Sequence, residues 1–264
     1  MIRLTFLGTG TSQGVPVISC GCWVCRSDDS RDKRLRTSAL VETGRTTLLI
    51  DAGPDFRQQM LRESVGKLDG ILLTHEHKDH IAGLDDVRAF NYVTGKPVDI
   101  YAEERVQRRV KQDFDYAFSE NPYPGVPEIR LHTILPDAPF RLLFTPIFQI
   151  DAEIVPIRGI HYKLPVFGFR IGRLAYLTDM NRIDDRELKK IEGVDTLVIN
   201  ALRKEHHLSH FTLDEALHIC YRVSPRAAYL THISHQMGRH ATEERALPEG
   251  VHFAYDGLTV EIPD

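Results

Sequence analysis

The chain has 264 residues, of which 42% are hydrophobic and 27% are charged, and its formal net charge is −4. These values are ordinary for a soluble globular protein with a real core, and the acidic balance argues against binding nucleic acid through general electrostatics. No run approaches the roughly 18 apolar residues of a membrane helix, and the N-terminus does not resemble a signal peptide. We therefore expect a cytoplasmic protein with no membrane partner, and no linker or repeat divides it into domains.

The first residues predict a strand followed by a tight loop. Apolar and polar side chains alternate over residues 2–7, which is typical of a half-buried strand. The next residues, 8–14, read GTGTSQG and lack the third glycine of a dinucleotide-binding motif, and Pro16 follows where that motif needs a helix. A backbone-rich loop that borders a site is the better interpretation.

The sequence CGCWVC places Cys20, Cys22 and Cys25 within six residues. Three thiols at this spacing suit one tetrahedral zinc ion, which then needs a fourth ligand from elsewhere in the chain. The alternatives are three reduced, unliganded thiols or a redox pair of Cys22 and Cys25, although no thioredoxin-type helix follows. Cys220 lies in a helical pattern of apolar residues, so we expect a packed core thiol there.

The hydrophobic pattern of the remaining residues predicts mainly strands, with helices between them. Two runs, 38–43 and 46–51, predict a hairpin, and Asp51 at its end is a typical position for a carboxylate that orients a neighbouring ligand. Residues 116–127 form a turn-rich stretch that is either a lid or an ordinary packing loop. The other predicted elements, in chain order, are helix 58–65, strand 68–73, helix 84–92, strand 98–101, helix 102–118, strands 148–156, 166–171 and 174–177, helix 184–191, strand 196–199, helix 213–223, strand 227–230 and two short strands around residues 256–257.

A dense cluster of polar side chains follows the apolar run of residues 70–73. Residues 74–80 read THEHKDH and place His75, His77, Asp79 and His80 within six residues. Imidazole nitrogen and carboxylate oxygen together suit zinc, iron, manganese or nickel. A solvated polar loop is the alternative, but this clustering directly after a buried strand favours a metal site.

Three later residues extend the cluster, because each follows a predicted strand whose end can present a side chain at the edge of a sheet. They are His161, Asp179 and His232. Each alone is a weak signal. Together with the four residues above they supply five histidines and two aspartates, which is enough for two metal ions.

On these seven residues, their order and their spacing, the chain resembles the metallo-β-lactamase superfamily. The resemblance covers residues 1–264 and implies a single domain of the α+β class, a four-layer αββα sandwich with metals at one edge between two sheets. The implied ligand sets are His75, His77 and His161 for one catalytic metal, Asp79, His80 and His232 for the second, and Asp179 as the bridge between them.

Within that superfamily, the three cysteines and residues 231–236, THISHQ, resemble the phosphodiesterase family of the carbon–phosphorus lyase pathway. Members of this family open a 1,2-cyclic phosphate on ribose 5-phosphate. The resemblance implies that Cys20, Cys22, Cys25 and His235 hold a separate structural zinc. It also implies that the catalytic residues are Asp79 and a general acid, His210, for which His207 is the second choice. Residues 200–205 depart from the family pattern.

We therefore expect a metal-dependent phosphodiesterase that hydrolyses small cyclic phosphates of the phosphoribosyl or nucleotide type with a metal-bound hydroxide. Two catalytic divalent metals are expected, zinc or manganese, with nickel also allowed by the ligands. The expected partner is a small phosphodiester, not a nucleic acid, and a homodimer is compatible with the sequence. The alternatives are a tRNA 3′-processing endonuclease and a non-catalytic carrier protein of cofactor biosynthesis, and the fold alone would also allow lactam or thioester hydrolysis.

Overall fold

Two seven-stranded sheets form the middle of the molecule. The computed structural model describes residues 1–44, 46–141, 143–144, 148–149 and 153–263. In chain order the strands are β1 Ile2–Gly8, β2 Ser38–Thr43, β3 Thr46–Ile50, β4 Gly70–Leu72, β5 Val98–Ala102, β6 Ile129–Thr133, β7 Leu143–Phe144, β8 Phe148–Gln149, β9 Ile154–His161, β10 Leu164–Ile171, β11 Leu174–Tyr176, β12 Arg182–Ile183, β13 Thr196–Asn200, β14 Ala227–Thr231, β15 Val251–Phe253 and β16 Thr259–Ile262.

The two sheets share one plan, an antiparallel half followed by a parallel half. The first sheet has the order β16-β1-β2-β3-β4-β5-β6, antiparallel as far as β3 and parallel from β3 to β6. The second has the order β12-β9-β10-β11-β13-β14-β15, antiparallel as far as β11 and parallel beyond it. Strands β7 and β8 pair only with each other. The carboxyl ends of the parallel strands in each sheet point to a common edge.

The described residues contain seven short helices. They are α1 Phe56–Arg62, α2 Lys78–Ile81, α3 Arg88–Thr94, α4 Glu104–Asp113, α5 Asp185–Lys189, α6 Leu213–Val223 and α7 His240–Glu243. None of these described helices has the length and the hydrophobicity that a membrane crossing requires.

Three hydrophobic cores account for the layering. One lies between the sheets and contains residues of both, such as Phe6 and Phe169. A second packs α1, α3 and α4 against the first sheet, and a third packs α5 and α6 against the second. This is the αββα sandwich of the α+β class that the sequence predicts, so the predicted fold class is confirmed. That the chain forms one domain over residues 1–264 stays a prediction.

Most of the predicted elements are present, with three corrections. The helix predicted over 102–118 is too long, since Ala102 ends β5 and α4 spans Glu104–Asp113, followed by a 3₁₀ turn. The helix predicted over 84–92 begins as a 3₁₀ turn and becomes α-helical at Arg88. Strands β6, β7 and β12 and the short helices α2 and α7 were not predicted. Part of the strand predicted over 148–156 lies outside the described residues.

Candidate metal centre

The predicted catalytic ligands meet at the edge where the parallel strands of both sheets end. His75 lies three residues beyond β4, His161 is the last residue of β9, Asp179 lies three residues beyond β11, and His232 directly follows β14. Asp79 and His80 lie in α2, which begins immediately after His77. Residues more than 150 positions apart in the chain therefore lie side by side, which is the arrangement expected for ligands presented by strand ends.

The ligand atoms of these residues lie within 4.8 Å of one another in overlapping groups. The groups are His75, His77 and His161; His75, His80 and Asp179; Asp79, Asp179 and His232; and His161, Asp179 and His210. All seven predicted catalytic ligands are thus brought together, and so is His210. Asp179 belongs to three of the four groups, which is the position a bridging carboxylate would occupy. Their roles as ligands stay predictions that the experiments below test.

In three of the histidines, one ring nitrogen lies within hydrogen-bond distance of a residue outside the predicted ligand set. His75 Nδ1 lies 2.9 Å from the Thr74 hydroxyl, His80 Nδ1 lies 2.6 Å from Asp51, and His161 Nδ1 lies 2.8 Å from the Ser209 carbonyl oxygen. Asp51 and the carbonyl oxygen can only accept, so His80 and His161 donate from Nδ1. In the neutral ring, this leaves Nε2 as the unprotonated nitrogen, which is how metal-binding histidines are oriented in proteins.

The ring nitrogens that face the centre of the cluster show whether these residues suit a metal. Among the described residues, His80 Nε2 and His210 Nδ1 are buried without a hydrogen-bond partner. His80 Nε2 lies 3.2 Å from an oxygen of Asp79 and 3.4 Å from an oxygen of Asp179. A buried acceptor beside two carboxylates is costly unless a cation lies between them. The donor set therefore fits divalent metal ions.

The electrostatics of the cluster point the same way. Burial alone would lower the pKa of His80, but the carboxylates of Asp179, Asp79 and Asp51 outweigh it and raise that pKa well above its ordinary value. For Asp179, burial raises the pKa, and the neighbouring His232 and His80 reverse the effect and hold it well below its usual range. By contrast, burial lowers the pKa of His210 to about 2, with His232 adding to the shift. The centre of the cluster thus favours positive charge, whereas His210 is neutral.

The backbone is left-handed at three of the site residues. Asp51, Asp179 and His232 have φ values of 62°, 57° and 57°. Residues other than glycine rarely adopt this conformation, and it costs on the order of 1–3 kcal/mol at each position. In each case it occurs just after a strand and is compatible with a side chain that turns into the edge of the sheet. The rest of the fold must stabilise this arrangement.

The cysteine motif forms a second, separate cluster with His235. The sulfur atoms of Cys20, Cys22 and Cys25 lie 3.3, 3.4 and 3.5 Å from His235 Nδ1. Zinc bonds of about 2.3 Å to sulfur and 2.05 Å to nitrogen give sulfur–nitrogen edges of about 3.6 Å in a tetrahedron. The four atoms therefore have the spacing of a tetrahedral zinc site, and His235 lies where the fourth ligand was predicted. The backbone N–H of Cys25 lowers the pKa of Cys22 to about 6, whereas burial raises that of Cys25 to about 11.

The glycine-rich loop of residues 8–14 lies between the two clusters, in agreement with the prediction that it borders a site. Gly10 forms a parallel bridge to Ile233, the residue after His232. The Thr11 N–H donates to the Ile233 carbonyl and the Ile233 N–H to that of Thr9. The fourth cysteine, Cys220, is a packed core thiol as predicted. It lies on the buried face of α6, and burial raises its pKa to about 12.

Several positioning residues were not predicted. The Thr37 hydroxyl donates to the Gly10 carbonyl and lies 3.2 Å from His232 Nδ1. The Asn200 side chain both accepts from the Met180 N–H and donates to the Met180 carbonyl, which fixes the chain next to Asp179. An asparagine or threonine near a strand end is too common for the sequence to single out. The predicted orienting role of Asp51 has geometric support.

We expect Asp51→Ala to weaken metal binding by about 10–100-fold, the usual effect of removing an outer partner of a ligand. Asp51 is fully buried and accepts hydrogen bonds from the N–H and hydroxyl of Thr74 and from His80 Nδ1. Competition with a chelator measures the affinity. The matched control is Asp69→Ala, which removes a bond to the Thr47 N–H at the opposite end of β3. Equal affinity in both variants would contradict the role of Asp51.

An αββα sandwich with a histidine–aspartate cluster at the edge between its sheets defines the metallo-β-lactamase class of proteins. The family model described as the beta-lactamase superfamily domain matches residues 46–233. The chain belongs to this superfamily.

Three proteins illustrate what the chain is similar to. An octanoyltransferase of Porphyromonas gingivalis is 40% identical over all of this chain, which spans only 52% of that protein. The crystal structure of a diphosphatase from the PhnP family is 39% identical, with a TM-score of 0.89 over 100% of this chain and 98% of that one. Zinc-bound PqqB from Methylobacterium extorquens, at 21% identity and a TM-score of 0.78 over 98% of this chain and all of its own, shares the fold.

Proposed function

We propose that the chain is a metal-dependent hydrolase of small phosphoric diesters, with cyclic phosphates of the phosphoribosyl or nucleotide type as its substrates. The observation that carries the proposal is the convergence at one edge of seven side chains, with His80 Nε2 buried among them without a hydrogen-bond partner: His75, His77, Asp79, His80, His161, Asp179 and His232. The predicted pattern of Cys20, Cys22, Cys25 and His235 supports the same choice within the superfamily.

A second candidate is hydrolysis of a diphosphate. It is favoured by the similarity to the diphosphatase from the PhnP family, which extends over the whole chain. Both candidates break a bond between phosphorus and oxygen, and both need the negative charge on the phosphoryl oxygens to be offset. They differ in the leaving group, which is an alkoxide for a sugar ester and a phosphate for a diphosphate.

When bound, divalent metals would offset charge on the phosphoryl oxygens and make water nucleophilic at neutral pH. The chain would hold them with the seven ligands above and keep those ligands oriented through Asp51, Thr74 and Ser209. As the bond from phosphorus to the leaving oxygen breaks, that oxygen takes the electron pair and needs a proton. His210, whose Nδ1 lies 3.8 Å from an oxygen of Asp179, is close enough to the ligands to supply it. Because its pKa is low, the anionic substrate must help to protonate it.

Three other functions fit the chain less well. Octanoyl transfer is the named activity of a relative that extends well beyond the match, so it need not belong to the shared part. A tRNA-processing endonuclease would have to bind RNA, which the formal net charge of −4 disfavours. A non-catalytic carrier has no need for so complete a ligand set.

A hydrolysis panel at defined metal loading tests the proposal. It should contain ribose 1,2-cyclic phosphate, a 2′,3′-cyclic nucleotide, a model diester, a sugar nucleotide with a diphosphate bridge and a tRNA precursor. We expect turnover of the cyclic phosphates with zinc or manganese. Turnover of the tRNA precursor alone would overturn the proposal in favour of the endonuclease, and turnover of nothing would favour the carrier.

We expect His210→Ala to lower turnover of sugar esters by about 10²–10⁴-fold with unchanged metal content, because it removes the proton donor. His207→Ala is the matched variant, since this half-buried ring lies 5.1 Å from that of His210 and was the second choice for the role. Turnover of a nitrophenyl diester, whose leaving group departs without a proton, should fall far less. Loss of metal would instead make His210 a ligand, which its grouping with His161 and Asp179 allows.

A further inference from the structure

His77 is oriented differently from its neighbours in the first predicted metal site, which consists of His75, His77 and His161. Its ring is exposed, and its Nδ1 lies 3.0 Å from His75 Nε2, inside the cluster. Among the described residues, no side chain outside the predicted ligand set lies within hydrogen-bond distance of this ring. Residues 73–77 also belong to no helix or strand. Neither burial, an outer hydrogen bond nor regular structure therefore fixes His77, and another contact must orient it.

The two chain neighbours of His77 form ion pairs with helix α4. The backbone at His77 is extended, with φ −64° and ψ 148°, so the side chains of Glu76 and Lys78 point away from the side that carries its ring. Glu76 pairs with Arg105 near the start of α4, and Lys78 Nζ lies 2.5 Å from an oxygen of Asp113 at its end. The helix thus contacts the histidine motif on both sides of this ligand.

Helix α4 can hold this segment because its apolar face is fixed. Val106 and Val110 are fully buried in the core that packs against the first sheet. The Gln107 side chain donates to the Ala102 carbonyl and to the Thr133 hydroxyl, which joins the helix to β5 and β6. The side chains on the outer face of α4 therefore project from a rigid support.

Arg105 joins the two sheets beside the first predicted metal site. Its guanidinium pairs with Glu76 on the side of the first sheet, and its Nη2 donates to the Pro165 carbonyl of β10, 2.6 Å away. Strand β10 pairs with β9, whose last residue is His161. His77 and His161 come from different sheets, and this one side chain connects the segments that carry them.

The pair of Arg105 and Glu76 is the stronger of the two contacts with α4. These side chains are 26% and 19% exposed, whereas Lys78 is 59% exposed and its pair should contribute little. Among the described residues, Arg105 Nε and Glu76 Oε2 are buried without a hydrogen-bond partner, so solvent reaches neither atom. Loss of one side chain would leave the other as a largely buried charge without its partner.

We infer that Arg105 is a positioning residue for the first predicted metal site, because it anchors both Glu76 beside His77 and the strand that pairs with that of His161. The inference rests on the metal-binding role of these histidines in the proposed function and does not depend on the substrate. The expected effect is unequal. A contact that orients His77 sets the affinity of the metal that His77 binds and leaves the affinity of the other catalytic metal nearly unchanged.

The test is a manganese titration after a chelator has removed the catalytic metals, with bound and free ion distinguished by electron paramagnetic resonance. Manganese is used because carboxylates suit it and thiolates do not, so the cysteine cluster should not take it up. Arg105→Met removes the guanidinium but keeps an unbranched side chain that favours a helix. We expect the affinity for one ion to fall about 10–100-fold, the usual effect of losing an outer contact, and that for the other to change by less than about threefold.

Two further variants separate a positioning role from a general loss of stability. Arg108→Gln is the matched control, since Arg108 lies on the same helix but pairs with Glu104 of that helix, and it should keep both affinities. If Arg105 acts through Glu76, adding Glu76→Gln to Arg105→Met should weaken the first ion by no more than about twofold further. Thermal unfolding of the metal-free proteins measures the cost to the fold. Equal weakening of both ions in Arg105→Met, or no weakening, would overturn the inference.

His77→Ala distinguishes failure of the inference from failure of the proposed function. This variant removes a predicted ligand and should lose one of the two ions. If it does so while Arg105→Met binds both ions like the wild type, the inference is wrong and the proposed function stands. If His77→Ala binds two ions with wild-type affinity, His77 is not a ligand, and the ligand set of the proposed function fails together with the inference.

Discussion

Asp179→Asn should lower hydrolysis of every substrate in the panel by at least about 10³-fold and should reduce the metal content. Asp179 is 2% exposed, and its two oxygens lie 3.1 Å from His232 Nδ1, 3.4 Å from His80 Nε2 and 3.8 Å from His210 Nδ1. No other carboxylate among the described residues belongs to so many of the ligand groups. Loss of its charge removes a ligand from both predicted metal positions, and metal catalysis is worth several kcal/mol.

Asparagine is the informative substitution because it keeps the shape of the side chain. The Thr178 hydroxyl, which donates to Asp179, can donate to an amide oxygen as well, so the left-handed turn should persist. Turnover and metal content by elemental analysis are the measurements. Asp195→Asn is the control, since it changes a partly exposed carboxylate paired with Arg173 at the other end of β13. A slow variant that keeps both catalytic metals at wild-type affinity would rule out the bridging role.

The sequence predicts which residues meet at this edge because of where they lie in the fold. A buried strand followed by His, Asp or Thr is recognisable in the sequence as an apolar run that ends in a polar residue. The apolar residues 70–73 before the histidine motif are an example. The helix predicted over residues 213–223 from its apolar pattern has those bounds in the structure, where a capping box of Thr212 and Glu215 begins it. Sequence pattern and structure agree where local and long-range preferences coincide.

The sequence fails to predict features that depend on tertiary contacts. Strand β6 alternates Ile129 and Leu131 with Arg130 and His132, a pattern that a surface loop also shows, and only its pairing with β5 defines it. Helix α4 ends early because buried Phe114 leaves the helical conformation, with φ at −122°. The hydrogen bonds of Thr37 and Asn200 join segments that are distant in sequence, and nothing local marks them.

The two metal sites should depend on each other, because one loop supplies both. His232 and His235 are three residues apart, and between them Ile233 pairs with the loop that leads to the cysteines. The backbone of His232 is held in a left-handed conformation, which does not persist without support. A structural zinc at His235 would supply part of that support. The order of events in the folded protein would then be structural zinc first and the catalytic metals second.

Cys25→Ala should therefore remove one zinc per chain, lower the thermal stability and weaken the metal site at His232. Structural zinc contributes about 10–16 kcal/mol of binding free energy in small zinc domains, so its loss should cost several kcal/mol here, where a large core remains. Cys220→Ala is the matched control, because it removes a buried thiol that lies outside the cluster and should cost about 1 kcal/mol with full zinc content. If the Cys25 variant binds catalytic metal like the wild type while lacking the structural zinc, the two sites are independent, and His232 is held by Thr37 and the glycine-rich loop alone.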